Sequence, residues 1–218
     1  MFKKVIFASL VSVIGVNFAV ADSKPIYDVV IENGRVIDPE SGHDAIKNVG
    51  IVEGKIVNIS TDVLKGIRTI NAKGLVVAPG FIDLHHHEQT KSGYSSSAKD
   101  GVTTALELED GAYPINSWYK SRQGKTAINY GTTVSHSVVR SLAFDAIKLE
   151  ELSGNMNDDF DYMIANGRTD WTDENSSQAQ RNTMQELLHQ GLTEGGLGIG
   201  YYLAGITGAD VDEMLSFL

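Results

Sequence analysis

The chain contains no cysteine, so disulfide bonds, cysteine-ligated zinc and a thiol nucleophile are all excluded. Basic residues are also few: 18 lysines and arginines stand against 28 acidic residues, which gives a formal net charge of −10. A protein that binds nucleic acid needs clustered positive charge to neutralise phosphates, so we expect no nucleic-acid partner. Proline is scarce too, with four residues, but the 42% of hydrophobic residues is ordinary for a folded globular protein.

The first 21 residues have the three parts of a secretory signal peptide. Lys3 and Lys4 give a positive start, residues 5–16 form an apolar run that is short for a membrane span, and Ala19-Val20-Ala21 is a small-residue cleavage site. We therefore expect cleavage after Ala21 and a secreted or periplasmic protein with no membrane attachment. The alternative is an uncleaved N-terminal anchor.

Residues 22–78 contain short β-branched runs that are divided by glycines. Gly34 divides the runs at 27–33 and 35–38, and Gly54 divides those at 49–52 and 56–59. Such pairs are typical of hairpins, so the sequence predicts a small antiparallel β-sheet module. A module of this size buries too little surface to be stable alone.

After Pro79-Gly80, strand-like runs alternate with helix-like segments. An amphipathic helix is indicated by Met184, Leu187, Leu188 and Leu192. This alternation predicts an α/β fold with a parallel sheet or a (β/α) barrel. A complete (β/α)₈ barrel needs about 250 residues, so we expect residues 79–218 to be its N-terminal half, without the C-terminal half. The strand-like runs begin at Phe81, Gly101, Ala127 and Gly196.

Ionisable side chains lie at the ends of the first two of these strands. Alternate residues of a strand share a face, so His85 and His87 point to one side, and Glu107 and Glu109 share a face of the second strand. Two imidazoles at a strand end can ligate one divalent metal ion, and inward-facing carboxylates need a cation or a hydrogen-bond donor. We therefore predict a metal site. The alternatives are a solvated histidine loop and an edge strand whose glutamates face water.

The run from Ala78 to His87, Ala-Pro-Gly-Phe-Ile-Asp-Leu-His-His-His, resembles the amidohydrolase superfamily, whose members carry an HxH pair after the first barrel strand. Residues 100–104, 129–140 and 184–200 resemble the D-aminoacylase (N-acyl-D-amino-acid deacylase) branch. The resemblance implies a composite β-sandwich module followed by a TIM-like barrel. It also implies hydrolysis of the amide bond of a small N-acyl amino acid by metal-activated water.

The resemblance further implies that His85 and His87 ligate one or two divalent ions, with Zn²⁺ the first choice. The bridging ligand after the second strand is often a cysteine in the family, and this chain has none. We therefore expect Glu109 in that place, with Glu107 as the second choice. Asp110 has the wrong parity for a continuous strand.

His136 and Arg140 match a histidine and an arginine that follow the third strand in this branch. The resemblance implies that they contact the substrate, with Arg140 holding a carboxylate through two hydrogen bonds. From the residues alone, a surface salt bridge for Arg140 and a buried structural role for His136 are equally open. Tyr201 and Tyr202 follow the fourth strand and are candidates either for lining a pocket or for packing.

The catalytic aspartate and the remaining histidine ligands of the family are expected beyond Leu218, so no catalytic residue can be named, and we expect this truncated chain by itself to be inactive. Other amidohydrolases, of the dihydroorotase, hydantoinase or isoaspartyl dipeptidase type, are the main alternative activity. These usually need a carboxylated lysine at a strand end, whereas Lys91 and Lys148 lie in connecting segments. An alternative of a different class is an inactive truncated half-barrel that is stable only when it pairs with another chain.

Overall fold

The computed structural model describes residues 26–165 and 168–217 and divides between Pro79 and Gly80 into two compact units. The signal peptide predicted at residues 1–21 lies outside the described residues. Within the described ranges, no helix is both long and apolar enough to cross a membrane.

The first unit is a five-stranded sheet in which three consecutive strands pair in antiparallel fashion and two later strands join β1 in parallel. Its strands are β1 (Ile26–Asp38), β2 (His43–Val52), β3 (Lys55–Ser60), β4 (Lys65–Asn71) and β5 (Val76–Val77). The expectation of a purely antiparallel module is therefore wrong, since β4 and β5 both run parallel to β1. The hairpin between β2 and β3 is present, and Glu53 and Gly54 turn with φ values of 50° and 73°, as a tight hairpin turn requires.

Gly34 does not form the second predicted hairpin. β1 continues through this residue as a single strand, with a shift of register against β2 between Ile31 and Gly34. A Cβ added at Gly34 would lie 2.5 Å from Val77 Cγ2. The glycine is therefore needed for the close approach of β5, and not for a turn.

The second unit contains a parallel sheet of four strands in sequence order, with helices between them. This is the α/β architecture predicted from the alternation of runs, a partial TIM-like barrel. The strands are β6 (Phe81–Asp83), β7 (Val102–Ala112), β8 (Asn129–Ser135) and β9 (Ile199–Gly200). The helices are α1 (Lys91–Lys99), α2 (Ile115–Arg122), α3 (His136–Ala143), α4 (Met156–Ala165), α5 (Asp170–Asp173), α6 (Gln178–Thr193) and α7 (Val211–Leu215), and a 3₁₀ turn spans Leu149–Glu151.

Helix α6 packs its apolar side on the sheet. Ser177 caps its N-terminus by accepting a hydrogen bond from the Gln180 amide, and the Gln180 side chain bonds back to the Ser177 amide. Met184 and Leu188 are buried, as the amphipathic pattern predicts, whereas Leu192 is 40% exposed. Because the four strands run parallel, their carboxyl ends lie at one edge of the sheet. At this edge His85 follows β6, Glu109 lies near the end of β7, and His136 follows β8.

Candidate metal centre

Three side chains from the ends of β6 and β7 bring their donor atoms together. The distance from His85 Nε2 to His87 Nε2 is 2.7 Å, and Glu109 Oε2 lies 2.9 Å from the first and 3.1 Å from the second. Ligands on a tetrahedral zinc ion stand roughly 3.3 Å apart, given bonds of about 2.0–2.1 Å. The imidazole and carboxylate donors suit one divalent metal ion, and the three atoms are gathered somewhat more tightly than tetrahedral coordination would set them.

The three side chains are only partly covered: 62% of His85, 40% of His87 and 39% of Glu109 is exposed. An ion held by these three donors could therefore take further ligands, either from solvent or from other residues of the protein.

Glu107, which was the second choice as a ligand, lies behind His87. Its side chain is 1% exposed, and Oε1 accepts hydrogen bonds from the backbone amides of Glu109, at 3.1 Å, and Asp110, at 3.0 Å. Oε2 lies 2.7 Å from His87 Nδ1, but the two atoms are too poorly aligned for a hydrogen bond and are otherwise unpartnered. A carboxylate behind the second nitrogen of a histidine is the usual outer partner of a metal ligand, so Glu107 is placed to orient His87.

The end of β7 departs from a regular strand. Four residues of β7, from Leu108 to Gly111, stand against Thr133 alone in the pairing with β8. Gly111 has φ +78°, and a Cβ added there would lie 2.7 Å from the Thr133 carbonyl oxygen. Simple alternation of faces therefore fails in this bulge.

Asp110 lies in the bulge, and its Oδ1 is buried without a hydrogen-bond partner. Burial and the nearby Glu107 carboxylate raise the pKa of Asp110 to about 6, against a smaller opposing effect of His87. Asp110 is thus near Glu107 and His87, but it is not one of the three gathered donors. Gly111, which permits the bulge, is the signal in the sequence that could have indicated it.

His86, between the two candidate ligands, faces the opposite side of the strand. Its ring is buried and stacks on Tyr94 at 5.4 Å, Nδ1 lies 3.1 Å from Asp83 Oδ2, and Nε2 lies 2.8 Å from the Glu88 carbonyl oxygen. Asp83 also accepts the backbone amide of His85 at 3.1 Å, which with His86 lowers the pKa of its carboxyl. The central histidine thus anchors the segment that carries the other two.

His136 and Arg140 are fully buried with Glu213. His136 Nε2 lies 2.8 Å from Glu213 Oε1, and Arg140 Nη1 pairs with Glu213 Oε2. The other Arg140 nitrogens donate to backbone carbonyls, Nε to Trp171 at 2.5 Å and Nη2 to Glu174. Arg140 does not form the surface salt bridge that was one alternative, because its partner is in the interior.

In the sequence, Glu213 looks like a residue of a helix N-terminus, three positions after the N-cap Asp210, and not like a partner of His136 and Arg140. Asp210 does accept the Glu213 amide at 2.8 Å, but the Glu213 side chain turns inward. Burial alone would raise the pKa of this carboxyl, but hydrogen bonds from His136, Ser176 and Arg140 outweigh it and hold the pKa below its usual range. Of the two candidate tyrosines, Tyr201 packs on the His136 ring at 5.1 Å and Tyr202 on Phe160 at 6.1 Å.

Comparison with known sequences identifies residues 68–141 as a match to the amidohydrolase family. A dihydroorotase of Streptococcus pneumoniae serotype 4 is 39% identical over 90 residues, which are 37% of this chain and 21% of that protein. An allantoinase of Bacillus licheniformis is 34% identical over 122 residues, 47% of this chain and 26% of that protein. The chain therefore spans well under half the length of the curated relatives it matches.

Solved structures extend the likeness over most of the chain. N-acyl-D-glutamate deacylase from Bordetella bronchiseptica, solved with zinc and a phosphonate mimic of the tetrahedral intermediate, has a TM-score of 0.65 at 19% identity over 88% of this chain and 42% of that one. A D-aminoacylase has a TM-score of 0.61 at 18% identity, with the same coverage. The predicted resemblance to the amidohydrolase superfamily is confirmed, and the likeness to the D-aminoacylase branch is one of fold.

Proposed function

We propose that this chain serves metal-dependent hydrolysis of an amide C–N bond, with N-acyl-D-amino acids as the substrate class. The observation that carries the proposal is the triangle of His85, His87 and Glu109 donor atoms at the carboxyl ends of adjacent parallel strands. Active sites of (β/α) barrels lie at this edge. The amidohydrolase family match and the zinc-containing deacylase of similar fold support the reaction class.

In this proposal His85 and His87 present neutral Nε2 atoms, and Glu109 one carboxylate oxygen, to a divalent ion, with Zn²⁺ the first choice. When bound, such an ion would lower the pKa of its water ligand toward about 7 and would also polarise the scissile carbonyl. Glu107 Oε2, 2.7 Å from His87 Nδ1, is placed to accept from that nitrogen when Nε2 binds the ion, and Oε1 accepts from two backbone amides at the start of the bulge.

The predicted contact of His136 and Arg140 with substrate requires a further condition. The Glu213 carboxylate already pairs with the Arg140 guanidinium and with His136 Nε2. A substrate carboxylate would have to replace the Glu213 carboxylate, which means that α7 would have to move away. The contact stays a prediction.

Hydrolysis of a cyclic amide, of the dihydroorotase or allantoinase kind, is the second candidate. It is favoured by the local identities of 39% and 34% to proteins of those names. Against it, the ends of β6, β7, β8 and β9 carry no lysine that could be carboxylated; Lys91 begins α1, and Lys148 precedes the 3₁₀ turn.

The test is turnover by a full-length form of the protein, with the predicted C-terminal half of the barrel, after loading with Zn²⁺. Release of free amino acid from N-acetyl-D-glutamate and other N-acetyl-D-amino acids, and not from their L-enantiomers, would support the deacylase. Ring opening of dihydroorotate or allantoin would replace it with the second candidate. Turnover of neither class would contradict the proposed hydrolysis and leave the inactive half-barrel.

We also propose export, on the basis of the signal-peptide pattern alone. N-terminal sequencing of the protein from the periplasm or culture medium should begin at Asp22. A start at Met1 in a membrane fraction would contradict cleavage and favour the uncleaved anchor.

A further inference from the structure

A polar cavity of about 260 Å³ lies within the second unit, and none of the three candidate metal ligands lines it. It is bordered by the start of α1, the end of α2 and the loop before α4. Three cationic side chains and one carboxylate line it: Lys91, Arg122, Lys125 and Asp158.

Arg122 is the buried cation of this cavity, with 6% exposed. Nη1 donates to the Trp118 carbonyl at 3.0 Å and the Ser121 hydroxyl at 2.9 Å, and Nη2 donates to Gln89 Oε1 at 2.7 Å. The guanidinium also stacks over the Trp118 ring at 4.1 Å. Every one of these partners is neutral.

Among the described residues, the arginines paired with carboxylates are Arg35, Arg140 and Arg168, and Arg122 is in no such pair. Its Nε and the Gln89 Nε2 are buried donors without a hydrogen-bond partner. Burial accordingly lowers the Arg122 pKa. A buried charge without a counter-charge is costly, so this arrangement calls for an anion.

The mouth of the cavity has the same sign of charge. Lys91 and Lys125 are exposed there and face only Asp158 as an opposing carboxylate. With Arg122, the lining carries three positive charges and one negative charge, an excess of two. Ser121 also lines the cavity, but its hydroxyl already donates to the Trp118 carbonyl at 2.8 Å.

We propose that this cavity is a binding site for a phosphate group, separate from the metal centre. Arg122 is the buried counter-charge, and Lys91 and Lys125 close the site from the solvent side. A doubly charged oxyanion matches the excess of two cations, and its several oxygens can accept from guanidinium and ammonium donors together. The phosphate can be inorganic or the end of a small phosphomonoester.

The experiment is calorimetric titration of the full chain with inorganic phosphate, and separately with glycerol 3-phosphate, at constant ionic strength set with chloride. We expect saturable binding that weakens about tenfold or more in Arg122→Gln and several-fold in Lys125→Gln. Lys99→Gln removes an exposed lysine of α1 that does not line the cavity, so its affinity should equal that of the unchanged chain. Tighter binding of the ester than of inorganic phosphate would identify the phosphomonoester as the source, and the reverse order would identify the free ion.

His85→Ala separates this site from the metal centre, because it should retain phosphate binding. Circular dichroism checks the fold of Arg122→Gln, and Lys125→Gln keeps the test valid if that variant does not fold. The proposal is overturned if Lys125→Gln and Lys99→Gln bind with equal affinity, if neither ligand gives saturable heat, or if His85→Ala abolishes binding.

Discussion

Glu107 Oε2 lies 2.7 Å from His87 Nδ1, on the side of the ring opposite the nitrogen that meets His85 and Glu109. The buried carboxylate thus supports a candidate ligand from behind while its other oxygen holds two backbone amides. The Glu107 side chain thus contacts both a candidate metal ligand, His87, and the backbone at the start of the β7 bulge.

Glu107→Gln should weaken metal binding without abolishing it. Loss of an outer partner of a ligating histidine typically costs about 10–100-fold in metal affinity. Competition titration of Zn²⁺ against a chromophoric chelator measures this change. Glu40→Gln, in an exposed turn of the first unit, is the control and should bind zinc as the unchanged chain does; an equal loss in both variants would contradict the role of Glu107.

His85→Ala and His87→Ala should each lose bound zinc, because each removes one of three donors. His86→Ala is the matched control on the same segment: it should keep the metal and lose about 1–3 kcal/mol of the free energy of unfolding, since it removes a buried ring and its polar contacts. Metal analysis after dialysis and urea denaturation measure the two effects. Unchanged zinc stoichiometry in His85→Ala and His87→Ala would refute the ligand assignment.

Gly111→Ala should distort the bulge of β7. The residue has φ +78°, and the added Cβ would lie 2.7 Å from the Thr133 carbonyl oxygen. We therefore expect the free energy of unfolding to fall by more than about 1 kcal/mol and zinc binding to weaken. Gly124→Ala is matched for backbone strain, because its φ is +71° but open space surrounds it. It should destabilise less and leave zinc affinity unchanged, and equal effects of the two variants would show that the bulge does not shape the site.

Stability should fall in acid through Glu213. Its pKa in the folded chain is below the ordinary value of 4.5, so its contribution is fully present above that value and is lost as the pH falls through the lower, folded pKa. Glu213→Gln should be about 3 kcal/mol less stable at pH 7, because Arg140 is left buried without its partner, and should depend less on pH below 5. Urea denaturation between pH 7 and pH 3 measures both effects, and parallel pH profiles for the two proteins would contradict this origin.

The sequence predicted the parts of the fold that follow from local periodicity. The four barrel strands, helix α6 and the opposite orientation of His86 relative to its neighbours all follow from alternation or helical spacing. Gly34 was misread because a glycine required by a close approach of another strand looks, in sequence, the same as a turn glycine. Contacts between distant segments, such as Glu213 with Arg140, leave no periodic signal, and the position of Asp110 depends on a bulge that alternation cannot describe.

The bulge at the end of β7 also bears on how this site can vary. The ladder pairs Glu107 with Thr132 before the bulge and Ala112 with Val134 after it, so the intervening segment has spare length while the strands on either side keep their register. A change of ligand between positions 109 and 110 can therefore be absorbed inside this loop of strand. The pairs on either side of the bulge are made by Glu107 and Ala112, so the β7–β8 register does not require residues 108–111 to alternate faces.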